Sequence, residues 1–218
     1  NKKPLLFLGL LIMIFILLAG LRPKPWSMNN DARLVEEKGV LKFNGHGIAY
    51  INYLDSLVDI NNLEDFAIQI SFVAENIDKI GFRPIMIIHS GDDIDQIAIW
   101  NWGPSLIAMN GDDYNHSRRL PRVYTKGVLV PGIISKLTIN SNKFGTQIFY
   151  NGTIVAENKE WRLSLPSKGK NLRIVLGNSV YGKHGWRGEI HQVALYSKVL
   201  SQEWIRTVQQ NCPQYSGF

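Results

Sequence analysis

From Gly39 onward the apolar residues come in short runs punctuated by turn signals, and that rhythm excludes most fold classes. Phe66, Ile68, Ile70 and Phe72 alternate with Ala67, Gln69, Ser71 and Val73, a period of two that gives a strand one buried face. Further runs follow at Ile85–Ile88, Ile97–Trp100, Leu106–Met109, Val128–Val130, Ser135–Ile139, Thr146–Tyr150, Leu172–Leu176 and Glu189–Tyr196. In the last of these, Ile190, Ala194 and Tyr196 are expected to share one strand face. Between the runs stand Ser90-Gly91-Asp92, Asn110-Gly111-Asp112, Lys143-Phe144-Gly145 and Gly177-Asn178. Tyr150-Asn151-Gly152-Thr153 is the sharpest turn signal, because Asn-Gly supplies the two positive-φ residues of a type I′ hairpin. Only Ser201–Gln210 reads as a helix, with Ser201 as N-cap and Glu203 in the first turn. It is expected to close the edge of the fold. Many short strands with regular turns mean an all-β sandwich or barrel, not an α/β enzyme.

The N-terminal stretch obeys a different rule. Residues 4–21 (PLLFLGLLIMIFILLAGL) hold no charge and no strong polar group. As a helix at 1.5 Å per residue they cover about 27 Å, close to the hydrocarbon thickness of a bilayer. Lys2 and Lys3 precede the run, and Arg22, Pro23, Lys24, Pro25 and Trp26 follow it. The prolines stop a helix there, Trp26 suits the headgroup level, and Leu11 and Ile14 fall at the centre of the span. No small-x-small cleavage site precedes Arg22, so the reading is an uncleaved signal anchor. The flanking charges nearly balance. A short N-terminal flank before a large domain then places the rest outside the cytoplasm, periplasmic or extracellular. The expected organisation is an anchor with its flanks (1–26), a polar linker (27–38), a β-domain (39–210) and a short tail (211–218).

Composition narrows the function classes. With 45% hydrophobic and 19% charged residues the 218-residue chain can bury a real core. Its 24 Lys and Arg against 18 Asp and Glu leave a net charge of +6, too thin and too dispersed to imply nucleic acid. One cysteine, Cys212, excludes an internal disulfide framework and a zinc site built from paired cysteines.

Several segments in order resemble the laminin-G-like, concanavalin A-like jelly-roll domains. They are Val40-Leu41-Lys42-Phe43-Asn44-Gly45, the alternating strand at Phe66–Phe72, the hairpin Gln147-Ile148-Phe149-Tyr150-Asn151-Gly152, the run Ile174-Val175-Leu176-Gly177-Asn178, and the ending from Gly188 to Ser201. The chain is most similar in this respect to the laminin-G-like domain that follows membrane helices in bacterial VanZ-like proteins. It departs from them by having one membrane segment where they have several. The resemblance implies a jelly-roll β-sandwich with one N-terminal transmembrane helix and a short C-terminal helix.

Glycanases of that fold carry Glu-x-Asp-x-x-Glu on a strand, one carboxylate acting as nucleophile and the other as acid. Here Asp93-Ile94-Asp95-Gln96-Ile97-Ala98 lacks the second carboxylate, since Ala98 holds its place. No catalytic residue is assigned, and the chain is expected not to be an enzyme. Asp92, Asp93 and Asp95 could supply oxygens to a Ca²⁺ ion, as many laminin-G-like domains do at the sandwich rim. The same Gly-Asp-Asp cluster is also ordinary turn chemistry, and the working expectation is no cofactor. Trp100 and Trp102, two apart on one strand, fall on one face. Together with the Asp112-Asp113 loop they could stack and hold a sugar, although tryptophans in sandwiches more often fill the core. The same alternatives apply to Trp161 and Trp186. His89, His116, His184 and His191 lie too far apart in sequence to suggest a site.

Two readings of function follow. In the first, the chain is a non-catalytic, membrane-anchored laminin-G-like domain serving as an accessory or scaffolding subunit of an integral membrane protein complex, held to the lipid bilayer through residues 4–21. In the second, it is a membrane-tethered carbohydrate-binding module for cell-wall or extracellular polysaccharide.

Overall fold

The computed structural model describes residues 30–52, 64–75, 77, 81–91, 96–111, 119–166 and 172–211, with positions 4, 11–13 and 15 near the N-terminus. Those last positions are helical, and Leu11, Ile12, Met13 and Phe15 expose their apolar side chains. Among the described residues no helix is long and apolar enough to cross a membrane. Most of the expected span, including Ile14, lies outside the described residues, as does Trp26.

Thirteen strands follow in chain order: β1 (Arg33–Val35), β2 (Val40–Asn44), β3 (Ala49–Ile51), β4 (Phe66–Ala74), β5 (Phe82–His89), β6 (Gln96–Trp102), β7 (Ser105–Asn110), β8 (Arg122–Thr125), β9 (Ile134–Asn142), β10 (Gly145–Tyr150), β11 (Thr153–Asn158), β12 (Arg173–Leu176) and β13 (Arg187–Tyr196). One helix, α1 (Gln202–Asn211), closes the described chain. The strands form a seven-stranded sheet in the order β1-β2-β13-β4-β9-β10-β11 and a six-stranded sheet in the order β3-β12-β5-β6-β7-β8. All pairings are antiparallel.

The period-two pattern of β4 decides which face is inside. Ile68 and Ile70 lie opposite Ile139 and Leu137 of β9, and all four belong to the core between the sheets. The six-stranded sheet answers with Met86, Ile88, Ile97, Ile99, Leu106 and Ala108. Its opposite face is apolar too, where Ile87, Ala98, Trp100, Ile107, Met109 and Val175 form a second buried cluster. At one end of the main core Trp186 is fully buried against Phe43 and Phe72, with ring centroids 6.1 Å apart in each pair. Trp186 therefore belongs to the core.

Helix α1 starts where Ser201 predicts, with the Trp204 amide donating to Ser201 Oγ at 3.2 Å. It does not cover an edge. Ile205 packs onto Ala67 and Phe149 on the outer face of the seven-stranded sheet, and Trp204 meets Tyr196 edge-on at 5.6 Å. The side-chain amide of Asn140 fixes this placement, donating to Leu200 O at 2.8 Å and accepting from Leu200 N at 3.1 Å.

Two further expectations are corrected here. Ile190, Ala194 and Tyr196 do not share a face, because the register of β13 against β4 shifts between Ile190 and Gln192. The extra residue, His191, flips the remainder of the strand, so Val193 and Leu195 follow Ile190 toward the core while Tyr196 packs outside. In addition, the expected linker 27–38 already contains β1, which pairs with β2 through Arg33↔Lys42, Leu34↔Leu41 and Val35↔Val40. Asn30 is fixed as well, since its Oδ1 accepts from Ile48 N and its Nδ2 donates to Ile48 O.

The β10–β11 hairpin turns at Asn151 and Gly152 with φ of 47° and 83°, as Asn-Gly requires. A Gly152→Val variant forces a β-branched residue into that conformation. It should lose about 1–2 kcal/mol in urea unfolding without change of fold by circular dichroism.

Candidate functional site

The end of β6 carries the expected tryptophan pair, and the structure separates its members. Both point to the outer face of the six-stranded sheet, but Trp100 is 3% exposed and Trp102 is 37% exposed. Trp100 belongs to the apolar cluster on that face, while Trp102 stands at the strand end above it. Register explains the arrangement around them. Phe82 at the start of β5 lies directly opposite Trp102, and the two rings stack at 5.7 Å with 4° between planes. Phe82 also meets Trp100 edge-on at 6.1 Å and 87°, so Trp100 buttresses the exposed stack from below.

Strand β8 adds the far wall. Its alternation puts Arg122 and Tyr124 on the same face, with Tyr124 opposite Ile107 and Arg122 opposite Met109. Tyr124 is 43% exposed and tilts against Trp102 at 5.9 Å. Its hydroxyl lies 3.1 Å from Ser105 Oγ, which fixes the ring. Edge strand β11 of the other sheet closes the cleft. Asn158 Oδ1 accepts from the amides of Glu160 and Trp161, an Asx turn that delivers the half-buried Trp161 indole. The Arg122 guanidinium lies 5.5 Å from the centroid of that indole. Glu157 borders the same space, and its Oε1 accepts from Gln147 Nε2 at 2.9 Å.

The cleft so enclosed holds about 630 Å³ and is lined by Phe82, Trp102, Arg122, Tyr124, Glu157 and Trp161, among others. Flat aromatic faces with a few convergent polar groups suit a ligand that has both apolar C–H faces and hydroxyls. Among the described lining residues Glu157 is the single carboxylate, whereas glycoside hydrolysis by either common route uses a pair.

Asp112 and Asp113 lie outside the described residues, and Gly111 before them hydrogen-bonds to Gln96 at the opposite end of β6 from Trp102, about 20 Å away along the strand. Asp92, Asp93 and Asp95 also lie outside the described residues. Among the described residues no group of three His, Cys, Asp or Glu is placed to hold a metal ion. Sequence reading missed Phe82, Arg122, Tyr124, Glu157 and Asn158. The Arg-x-Tyr spacing of β8 was the one signal that could have found two of them.

No protein-family model matches the sequence, and no curated protein is significantly similar to it. Solved structures do match the fold. The chain is similar to the receptor-binding domain of botulinum neurotoxin C/D mosaic serotype, at 14% identity and a TM-score of 0.63 over 83% of this chain and 45% of that one. It is similar to the Ruminococcus gnavus IT-sialidase CBM40 bound to α2,3-sialyllactose, at 13% identity and 0.56 over 69% of this chain and 85% of that one. A third match is the ligand-binding domain of botulinum neurotoxin serotype D in complex with N-acetylneuraminic acid, at 16% identity and 0.61 over 84% and 45%. The fold is that of these β-sandwich domains. At such identities the likeness extends to fold alone, and the chain spans less than half of the toxin fragments.

Proposed function

We propose that this chain is a carbohydrate-binding module without catalytic activity, that sugar stacks on Trp102 in the aromatic cleft, and that residues 4–21 tether the domain to a bilayer. The cleft carries the reading. An exposed indole, backed by a parallel phenyl ring and flanked by Tyr124, Trp161, Arg122 and Glu157, offers a pyranose both a flat apolar face and hydrogen-bonding partners. That two similar sandwich domains were solved with sialylated or sialic-acid ligands favours this reading over a scaffolding subunit. The tether rests on the apolar run and its flanking prolines, and the absence of catalysis on the lone cleft carboxylate.

The test is a glycan array with the full chain in mild detergent, followed by titration of the hits. At least one oligosaccharide should bind with millimolar or better affinity. Trp102→Ala should weaken it by about tenfold or more, the worth of a good aromatic contact, with an unchanged far-UV spectrum. Tyr124→Ala should weaken it less. An array without hits, or hits indifferent to both substitutions, would refute the assignment.

A further inference from the structure

Resting on the glycan reading above, the geometry points to the form of the ligand: a linear, uncharged polysaccharide bound along its length, draped across strand β11 from the aromatic cleft into a second groove. That groove holds about 350 Å³ on the outer face of the seven-stranded sheet. Register sets its walls. Gln147 of β10 faces Glu157 of β11, and the buried Phe149 faces Ile154, so both pairs present to the same outer face. The β9–β10 turn adds Phe144, which is 71% exposed, with Lys143 Nζ 5.1 Å from its ring centroid. The segment leading into α1, Val199–Ser201, and the helix's first residue, Gln202, close the far side.

Two features join the grooves. Glu157 borders both, so its carboxylate, already held by Gln147, stands at the crossing point. Strand β11 is also the last strand of its sheet, and a ligand can pass over it without meeting another strand. Each groove alone has the volume of a small-molecule site. A terminal sugar occupying the first would leave the second, with its exposed phenyl ring, unused. A chain of several sugars would use Trp102 and Phe144 as separate platforms on either side of the edge.

The lining also selects against charge. Among the described residues lining the second groove the polar groups are the amides of Asn140, Asn142, Gln147 and Gln202, the Ser201 hydroxyl and the Glu157 carboxylate, with Lys143 beside Phe144, and in the first groove Arg122 accompanies the same carboxylate. Amides donate to and accept from hydroxyl and acetamido groups alike, and the described charges at the two grooves are of mixed sign rather than a basic cluster suited to an acidic polymer.

Calorimetric titration of the full chain with chitin, cellulose and mannan oligosaccharides, from disaccharide through hexasaccharide, tests this. In one ladder the affinity should rise by about tenfold or more with length, as a second aromatic contact is gained. Phe144→Ala removes an exposed side chain, so the fold should be retained. It should lower hexasaccharide affinity about three- to tenfold and leave the disaccharide unchanged. Trp102→Ala should weaken both. Affinity independent of length, an inert Phe144→Ala, or binding confined to acidic terminal sugars on the array would overturn the extended site while leaving the glycan reading intact. Failure of every ladder together with an empty array would remove both.

Discussion

Trp186→Ala should lower the stability of the domain by about 3–5 kcal/mol, the usual cost of deleting a fully buried aromatic side chain. Trp186 is 0% exposed and bridges Phe43 of β2 and Phe72 of β4, so its removal strands two other aromatic faces at the same end of the sandwich. Collapse around the cavity is hindered, because the Trp186 amide is pinned to Gly177 O at 2.8 Å. The measurement is the urea midpoint of the full chain, with a shift at constant slope reporting lost stability rather than an altered unfolded state. A shift below about 1 kcal/mol would show that the core is not centred on this indole.

Gly177→Ala should cost about 2–5 kcal/mol for two reasons that add. Its φ of +76° is one that a Cβ resists, and that Cβ would lie 2.1 Å from the Phe43 ring. Phe43 is itself 0% exposed, so the ring has nowhere to go. The cause can be divided experimentally. If the clash matters, Phe43→Ala and Gly177→Ala together should be less damaging than the sum of the two by about 1–3 kcal/mol, because the ring that the methyl meets is gone. Strict additivity would leave backbone strain as the whole effect.

Much of this architecture is written in local pattern. The alternation in β4 reports which side faces the other sheet, Asn151-Gly152 fixes a hairpin by its own conformational preference, and Ser201 marks the start of α1. The misreadings have physical causes. Strand β1 has three residues, too few for a period to be visible, and it exists because β2 offers a partner. The bulge at His191 inverts the second half of β13, and no feature of the residues around it declares the inversion. The Val128–Val130 run looks like a strand but forms none, its Leu129 packing into the core from a loop.

Besides Trp161, the candidate site was legible only as Trp102. Its distinction from Trp100, two residues earlier on the same face, depends on distance from the strand end and on Phe82 lying across from Trp102 while Pro84 lies across from Trp100. Arg122 and Tyr124 sit on a four-residue strand with little apolar signal, and Glu157 and Trp161 reach the cleft from the other sheet. Such proximity is a property of topology, which no single segment of sequence carries.

The hydrogen bonds of Asn30 and the three-residue strand β1 have a mechanical meaning. A pull on the chain ahead of Asn30 reaches the sandwich first through two side-chain hydrogen bonds to Ile48 and the short pairing of β1 with β2. Leu34 is exposed in this strand and only the small side chain of Ala32 ahead of it packs on the main core, whereas the buried residues begin at Val40. Under tension β1 would peel away before any core strand moved. The ten residues ahead of Val40 would then be free to extend to at most about 33–36 Å in all. Were the chain held from its N-terminal side, as proposed for residues 4–21, this segment would serve as an extensible leash, folded against the sheet edge at rest.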